Sequence, residues 1–246
     1  MGRVFRWSRP SELLLTAMDK QRFTVSPVSE TSLLVLFNEP VGVELSLYIA
    51  ACGAAVNAHF ADMVANTVPS YNALLVTLRP SAAVDCTSRL QELLLTVPRK
   101  RVAQQRDVIE IPTWYAPEVA EYLPDILEQT GCGLEELIAL HTGREYFVYM
   151  IGFCPGFAYM GDLPTELRLP RRTVPQTRIP AGSVALADFQ TAVYPLAMPG
   201  GWNIVGRTPL VVFDASRKQP SLLQQGDMVR FTAIDKQEYL QRGGVL

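Results

Sequence analysis

Residues 146–214 carry 7 of the chain's 16 glycines and 8 of its 18 prolines. That density forbids long regular elements. Proline fixes φ and removes a backbone donor, while glycine admits angles that other residues avoid. The stretch is nonetheless not low-complexity. Short β-rich runs at 182–186, 202–205 and 210–213 alternate with the Pro/Gly punctuation. The pattern predicts a barrel or sandwich of short strands joined by stiff loops.

The first hundred residues read differently. An apolar strand is predicted over 31–37, a helix over 43–59, strands over 62–68 and 73–78 flanking Pro69-Ser70-Tyr71-Asn72, and a second helix over 84–97 with Leu90, Leu93, Leu94 and Val97 on one face. A fourth strand over 108–111 completes a β-α-β-β-α-β order, which implies two helices on one face of an antiparallel sheet. The expected architecture is therefore α+β: a ferredoxin-like domain near 21–105, then a β domain near 106–240, with residues 1–20 a flexible tail. The basic run from Pro98 to Arg101 reads as the start of a solvated loop reaching Asp107. Residues 117–143 read as the only helical stretch of the second half. Its clearer part, 133–143, places Glu135 and Glu136 in the first turn and His141 in the last, where opposite charges suit the helix dipole.

Composition narrows the function. With 22 basic and 24 acidic residues there is no global positive field for nucleic acid. No apolar run approaches the length of about 20 residues that a membrane helix needs. The apolar part of the first 20 residues is too short for a secretion signal. Cys52, Cys86, Cys132 and Cys154 form no C-x-x-C pair, as expected of reduced thiols in the cytoplasm. With only two histidines, no metal-ligand spacing emerges.

Three apparent motifs fail on context. Residues 201–208 (GWNIVGRT) have the spacing of a phosphate-binding P-loop, but Trp202, Ile204 and Val205 favour a strand where that loop must open a helix. Gly182-Ser183 lacks the flanks of a nucleophile elbow. Cys154, between Phe153 and Pro155, has no neighbouring residue to lower its pKa.

The stronger signal is collective. Phe153, Pro155, Gly156, Phe157 and Tyr159 supply an apolar rim, while Arg171, Arg172, Arg178 and Arg207 supply fixed positive charge. Gln190, Thr191 and Tyr194 add neutral hydrogen-bonding groups, and Trp202 is either an aromatic platform or a core plug. Apolar walls with a few convergent polar groups describe a small-molecule pocket, and arginine forks suit carboxylate or phosphate. Gly182, Gly200, Gly201 and Pro180 read as builders of barrel corners.

The words I-G-F-x-P-G-F-x-Y, P-R-R, I-P-A-G-S-V, Q-T-x-x-Y-P, P-G-G-W and G-R-T-P, spread through residues 151–209, resemble the B-subunit family of bacterial 5-oxoprolinase (PxpB). That family is also called allophanate hydrolase subunit 1 and includes the KipI-type kinase inhibitors. The resemblance extends over roughly residues 24–234. It implies a cyclophilin-like β-barrel for the second domain. It implies ATP-dependent opening of 5-oxo-L-proline to L-glutamate by an assembly with the C and A subunits of 5-oxoprolinase. ATP, with magnesium, is expected at the level of that assembly and not bound tightly by this chain alone. Inhibition of a sensor histidine kinase and a role in urea or allophanate metabolism are the alternatives. Phe153, Pro155, Phe157, Arg171, Arg178, Gln190, Thr191, Tyr194, Trp202 and Arg207 are the expected ligand-binding residues. No catalytic residue is identified; Arg171, Gln190 and His141 are the weak candidates. The chain departs from the family's usual wording at Asp162, Gln176, Ala187-Asp188-Phe189 and Ala192, close to the expected pocket.

Overall fold

The computed structural model describes residues 22–80, 86–99 and 108–246; the expected N-terminal tail lies outside them. The chain divides into two compact units, Met1–Ala103 and Gln104–Leu246.

In the first unit, strands β1 (Phe23–Ser29), β2 (Ser32–Phe37), β3 (Val64–Pro69) and β4 (Ala73–Leu78) form an antiparallel sheet of order β1-β2-β4-β3. Alternation explains the buried face: Leu33, Val35 and Phe37 turn inward with Leu74, Val76 and Leu78. Helix α1 (Val43–His59) packs Leu45, Ile49, Cys52 and Val56 into the same core, and α2 (Cys86–Thr96) adds Leu90 and Leu94. One expectation needs correction. The strand expected at 108–111 is not part of this sheet; β1 occupies the edge beside β2 instead. Arg99 is exposed and outside any helix or strand, as expected of a solvated loop; it pairs with Glu39 and lies 4.7 Å over the Tyr48 ring. The remainder of that loop, 100–107, lies outside the described residues.

The second unit is built on β5 (Val108–Thr113), β6 (Glu145–Ile151), β7 (Ala158–Gly161), β9 (Ser183–Ala187), β10 (Gln190–Val193), β12 (Asn203–Arg207) and β13 (Met228–Ala233). These seven strands form one sheet of order β12-β9-β10-β7-β6-β13-β5. A small separate ladder joins β8 (Gln176–Ile179) to β11 (Met198–Gly200). β5 and β13 run parallel, and every other pair in the large sheet is antiparallel. Just beyond β5, Trp114 and Arg207 of β12 exchange two backbone hydrogen bonds of 2.9 Å. The two edges of the sheet therefore meet, and the sheet is nearly a closed barrel. Gly206 permits that approach, since a Cβ there would stand 2.6 Å from the Trp114 carbonyl oxygen. The inner strands are buried on both faces, which is why β9 reads as a continuous apolar run.

Helices α3 (Leu123–Thr130) and α4 (Leu134–Thr142) form the expected helical stretch, separated by Gly131 at φ +70 in a left-handed C-cap. A further helix, α5 (Lys236–Gln241), contradicts the reading of that stretch as the only one. Asp235 caps it by accepting the Glu238 N–H at 2.8 Å. The strand expected at 210–213 does not form; Phe213 makes one isolated bridge to Ser221.

Candidate functional site

Four segments of the second unit converge on one cavity of about 60 Å³. The turn between β6 and β7 brings Phe153 and Phe157, and β7 itself brings Tyr159. The segment before β8 brings Arg171, the end of β10 brings Tyr194, and β11 with its exit brings Gly200, Gly201 and Trp202. Backbone bonds fix these segments: Arg172 N–H donates to the Gly201 carbonyl at 2.8 Å, and Tyr194 N–H to the Ser183 carbonyl at 2.9 Å.

The walls are aromatic. Phe157 lies at the centre, with ring centroids 5.5 Å from Phe153, 4.9 Å from Tyr159, 5.3 Å from Tyr194 and 5.5 Å from Trp202, all edge-on. Phe153 stands at the rim, 66% exposed, at φ 67. The Cys154 N–H donates to the Gly152 carbonyl at 2.8 Å. Phe153 is thus the central residue of a positive-φ γ-turn, a conformation bulky side chains rarely adopt. Strain of that kind persists where its surroundings over-determine it. Here Gly156, at φ +81, packs so closely on Phe213 that a Cβ would meet it at 2.6 Å.

The polar groups are few. The Arg171 guanidinium carbon lies 5.7 Å from the Trp202 ring centroid, and no ion pair engages Arg171 among the described residues. The Tyr194 hydroxyl occupies space that a side chain at position 200 would take: a Cβ on Gly200 would stand 2.2 Å from Oη. Burial raises the Tyr194 phenol to about 12, against opposing effects from the Trp202 backbone N–H and Arg171. Tyr159 is raised for the same first reason, burial. Both phenols are neutral donors at physiological pH.

Of the residues expected from sequence, Phe153, Phe157, Tyr159, Arg171, Tyr194 and Trp202 line this cavity, and the others lie elsewhere. Pro155 is exposed in the turn, and Arg178 is exposed on β8. Arg172 stacks 3.7 Å over the Tyr122 ring. Arg207 donates through Nη1 to the Val245 carbonyl at 3.2 Å. Gln190 is buried opposite Gly161, with its Nε2 unpartnered. Thr191 bonds His141 Nε2 at 3.0 Å, while Tyr115 Oη bonds His141 Nδ1 at 2.7 Å. His141 is fully buried, stacked 4.3 Å from Phe231, and burial lowers its pKa to about 3. The helix-end charge expected of it is therefore absent: the imidazole is neutral and its two ring nitrogens serve the core. Burial raises the Cys154 thiol, whose sulfur lies 3.5 Å from Met198 Sδ, so it is no activated nucleophile. Sequence reasoning missed Gly200 and Gly201 as part of the site. The signal lay in the P-G-G-W run, where paired glycines beside a tryptophan mark close approach as well as a corner.

Among the described residues the P-loop spacing at 201–208 does not open a helix, as the sequence context implied. Residues 203–207 form strand β12, and among the described residues no group of three or more His, Cys, Asp or Glu could hold a metal ion.

The family model described as "Carboxyltransferase domain, subdomain C and D" matches residues 23–223. A curated Bacillus subtilis protein, named as the B subunit of 5-oxoprolinase, is 30% identical over 89% of this chain and 95% of its own length. An Escherichia coli O157:H7 protein of the same name is 40% identical over 68% of this chain and 77% of its own. Among solved structures, TTHA0988 superposes with a TM-score of 0.74 at 35% identity over 86% of this chain. This chain spans only 41% of the length of TTHA0988. Urea carboxylase of Kluyveromyces lactis shares the fold, with a TM-score of 0.69 at 15% identity over 89% of this chain and 22% of that one.

Proposed function

We propose, because this chain belongs to the 5-oxoprolinase B-subunit family, that it is the component of a multi-subunit 5-oxoprolinase that holds the small anionic lactam. The observation that carries this reading is Arg171: a guanidinium without an ion pair among the described residues, at an aromatic-walled cavity. The carboxylate of 5-oxo-L-proline pairs with that cation, and the flat apolar ring lies against Phe157 and Trp202.

The reaction is hydrolysis of a cyclic amide, driven by ATP. A five-membered lactam is a poor electrophile, and the nucleotide supplies the activation. No step of that activation is assigned to this chain. Nucleotide and magnesium act at the level of the assembly with the companion C and A subunits. The length of TTHA0988 supports a shared site: there the part similar to this chain is joined to further polypeptide. The order β1-β2-β4-β3 supports a ferredoxin-like first unit with β1 at its edge, and the nearly closed sheet supports a cyclophilin-like second unit. Four free cysteines support a cytoplasmic setting.

The urea and allophanate reading rests on a likeness of fold alone. No specific observation favours the KipI-type reading, since the cavity presents a cation and phenols in place of a purely apolar surface.

The test is glutamate release from 5-oxoproline by the chain co-expressed with its companion subunits, with and without ATP. ATP-dependent release by the assembly is expected. An intact assembly that releases none would overturn the reading.

A further inference from the structure

With Arg171 taken by the substrate carboxylate, the cavity still holds a seated polar group, the Tyr194 hydroxyl. Its position is built, not incidental: Phe157 packs edge-on against its ring at 5.3 Å, and residue 200 must be glycine because a Cβ would stand 2.2 Å from Oη. Tyr194 lines the cavity beside Arg171, Phe157 and Trp202, within reach of a ligand held there.

Resting on the reading above, we propose that Tyr194 is the general acid that protonates the ring nitrogen as the lactam opens. Water adds at the carbonyl carbon of the activated lactam and gives up one proton to solvent, which balances the proton later returned to the phenolate. When the C–N bond breaks, its electron pair goes to nitrogen, which takes the Tyr194 proton and leaves as an amine. The resulting phenolate is held by the Trp202 N–H and by the Arg171 charge until water returns the proton. A departing amide nitrogen is far more basic than a phenolate, so the transfer runs downhill at the moment of cleavage. The neutrality of the phenol serves this role, because burial keeps the proton on the oxygen well into the alkaline range. Tyr159 lines the same cavity but has no glycine cut away to seat its hydroxyl.

The test is Tyr194→Phe in the assembled complex, a change that keeps the ring and its packing. The expected result is a fall in kcat of about 100-fold or more, the usual worth of a positioned acid, with KM and the dissociation constant for 5-oxoproline changed by less than about threefold. The solvent deuterium isotope effect on kcat should change with it, which a packing defect alone would not cause. An unchanged kcat, or a loss carried by KM with kcat intact, overturns the inference while the wild-type assembly still releases glutamate. A wild-type assembly that releases none removes the reading beneath it, and the inference falls too. A thermal melt of the variant matching wild type assigns the loss to chemistry and not to folding.

Discussion

At the scale of single residues, burial and close approach decide roles that residue type alone leaves open. His141 is the clearest case. Its unfolded pKa is near 6.5, and burial lowers the folded value to about 3. The folded state therefore binds fewer protons between those values. Stability from this site is complete above about pH 6.5 and falls as the solution is acidified toward the folded pKa, by up to about 1.4 kcal/mol per pH unit. Between pH 7 and pH 5 the loss should reach about 2 kcal/mol in wild type and be largely absent in His141→Gln, read from urea midpoints. Equal pH slopes in both proteins would show that His141 is not held neutral. Gly200 gives a steric test. Gly200→Ala would drive a Cβ into Tyr194 Oη at 2.2 Å and Ile179 Cδ1 at 2.8 Å. A cost of about 1–3 kcal/mol is expected, measured by thermal melting. An unchanged melt would mean the hydroxyl is not seated as described.

At the scale of elements, the turn from Gly152 to Gly156 links strain to binding. Phe153→Gly should stabilise the fold by about 1 kcal/mol, because glycine adopts positive φ without the penalty a phenylalanine bears. Little packing is lost, since Phe153 is 66% exposed. The same variant should bind 5-oxoproline more weakly in the assembled complex. Denaturant titration and ligand titration read the two effects, and a destabilised variant with normal binding would contradict them. The elements also differ in how far local pattern reveals them. Helix α1 was legible from the length of its apolar run, and strands β2 and β4 from short apolar runs bounded by turn residues. β1 was not, since its Phe23–Ser29 run exposes most of its residues and carries Pro27. β5 was read as a strand but assigned to the wrong sheet; its partner β13 lies over a hundred residues later, and no local pattern encodes that parallel pairing. Residues 210–213 look like a strand yet lack a ladder partner, so their apolar side chains serve packing: Val212 is buried, and Phe213 abuts Gly156. Within the site, the aromatics and Arg171 were legible as residue types. Arg178, Arg207 and Gln190 were indistinguishable from them in sequence, because which way a strand residue points depends on register.

At the scale of the whole molecule, the chain belongs to a family of single subunits of 5-oxoprolinase, and its second unit supplies a small, mostly aromatic cavity. The purified chain alone should therefore show no turnover of 5-oxoproline, and addition of companion subunits should restore it. Robust ATP-dependent release of glutamate by the isolated chain would contradict a shared site. TTHA0988, in which similar sequence makes up 41% of a longer chain, illustrates one way of securing such a partnership. The central claim is that the cavity marked by Arg171 receives the carboxylate of the lactam. The most direct measurement is the steady-state kinetics of glutamate release by the assembled complex carrying Arg171→Ala. Loss of one charged hydrogen-bonding partner should raise KM by about 10- to 100-fold, with partial recovery in Arg171→Lys. Wild-type KM and kcat in a folded, assembled Arg171→Ala complex would place the substrate elsewhere.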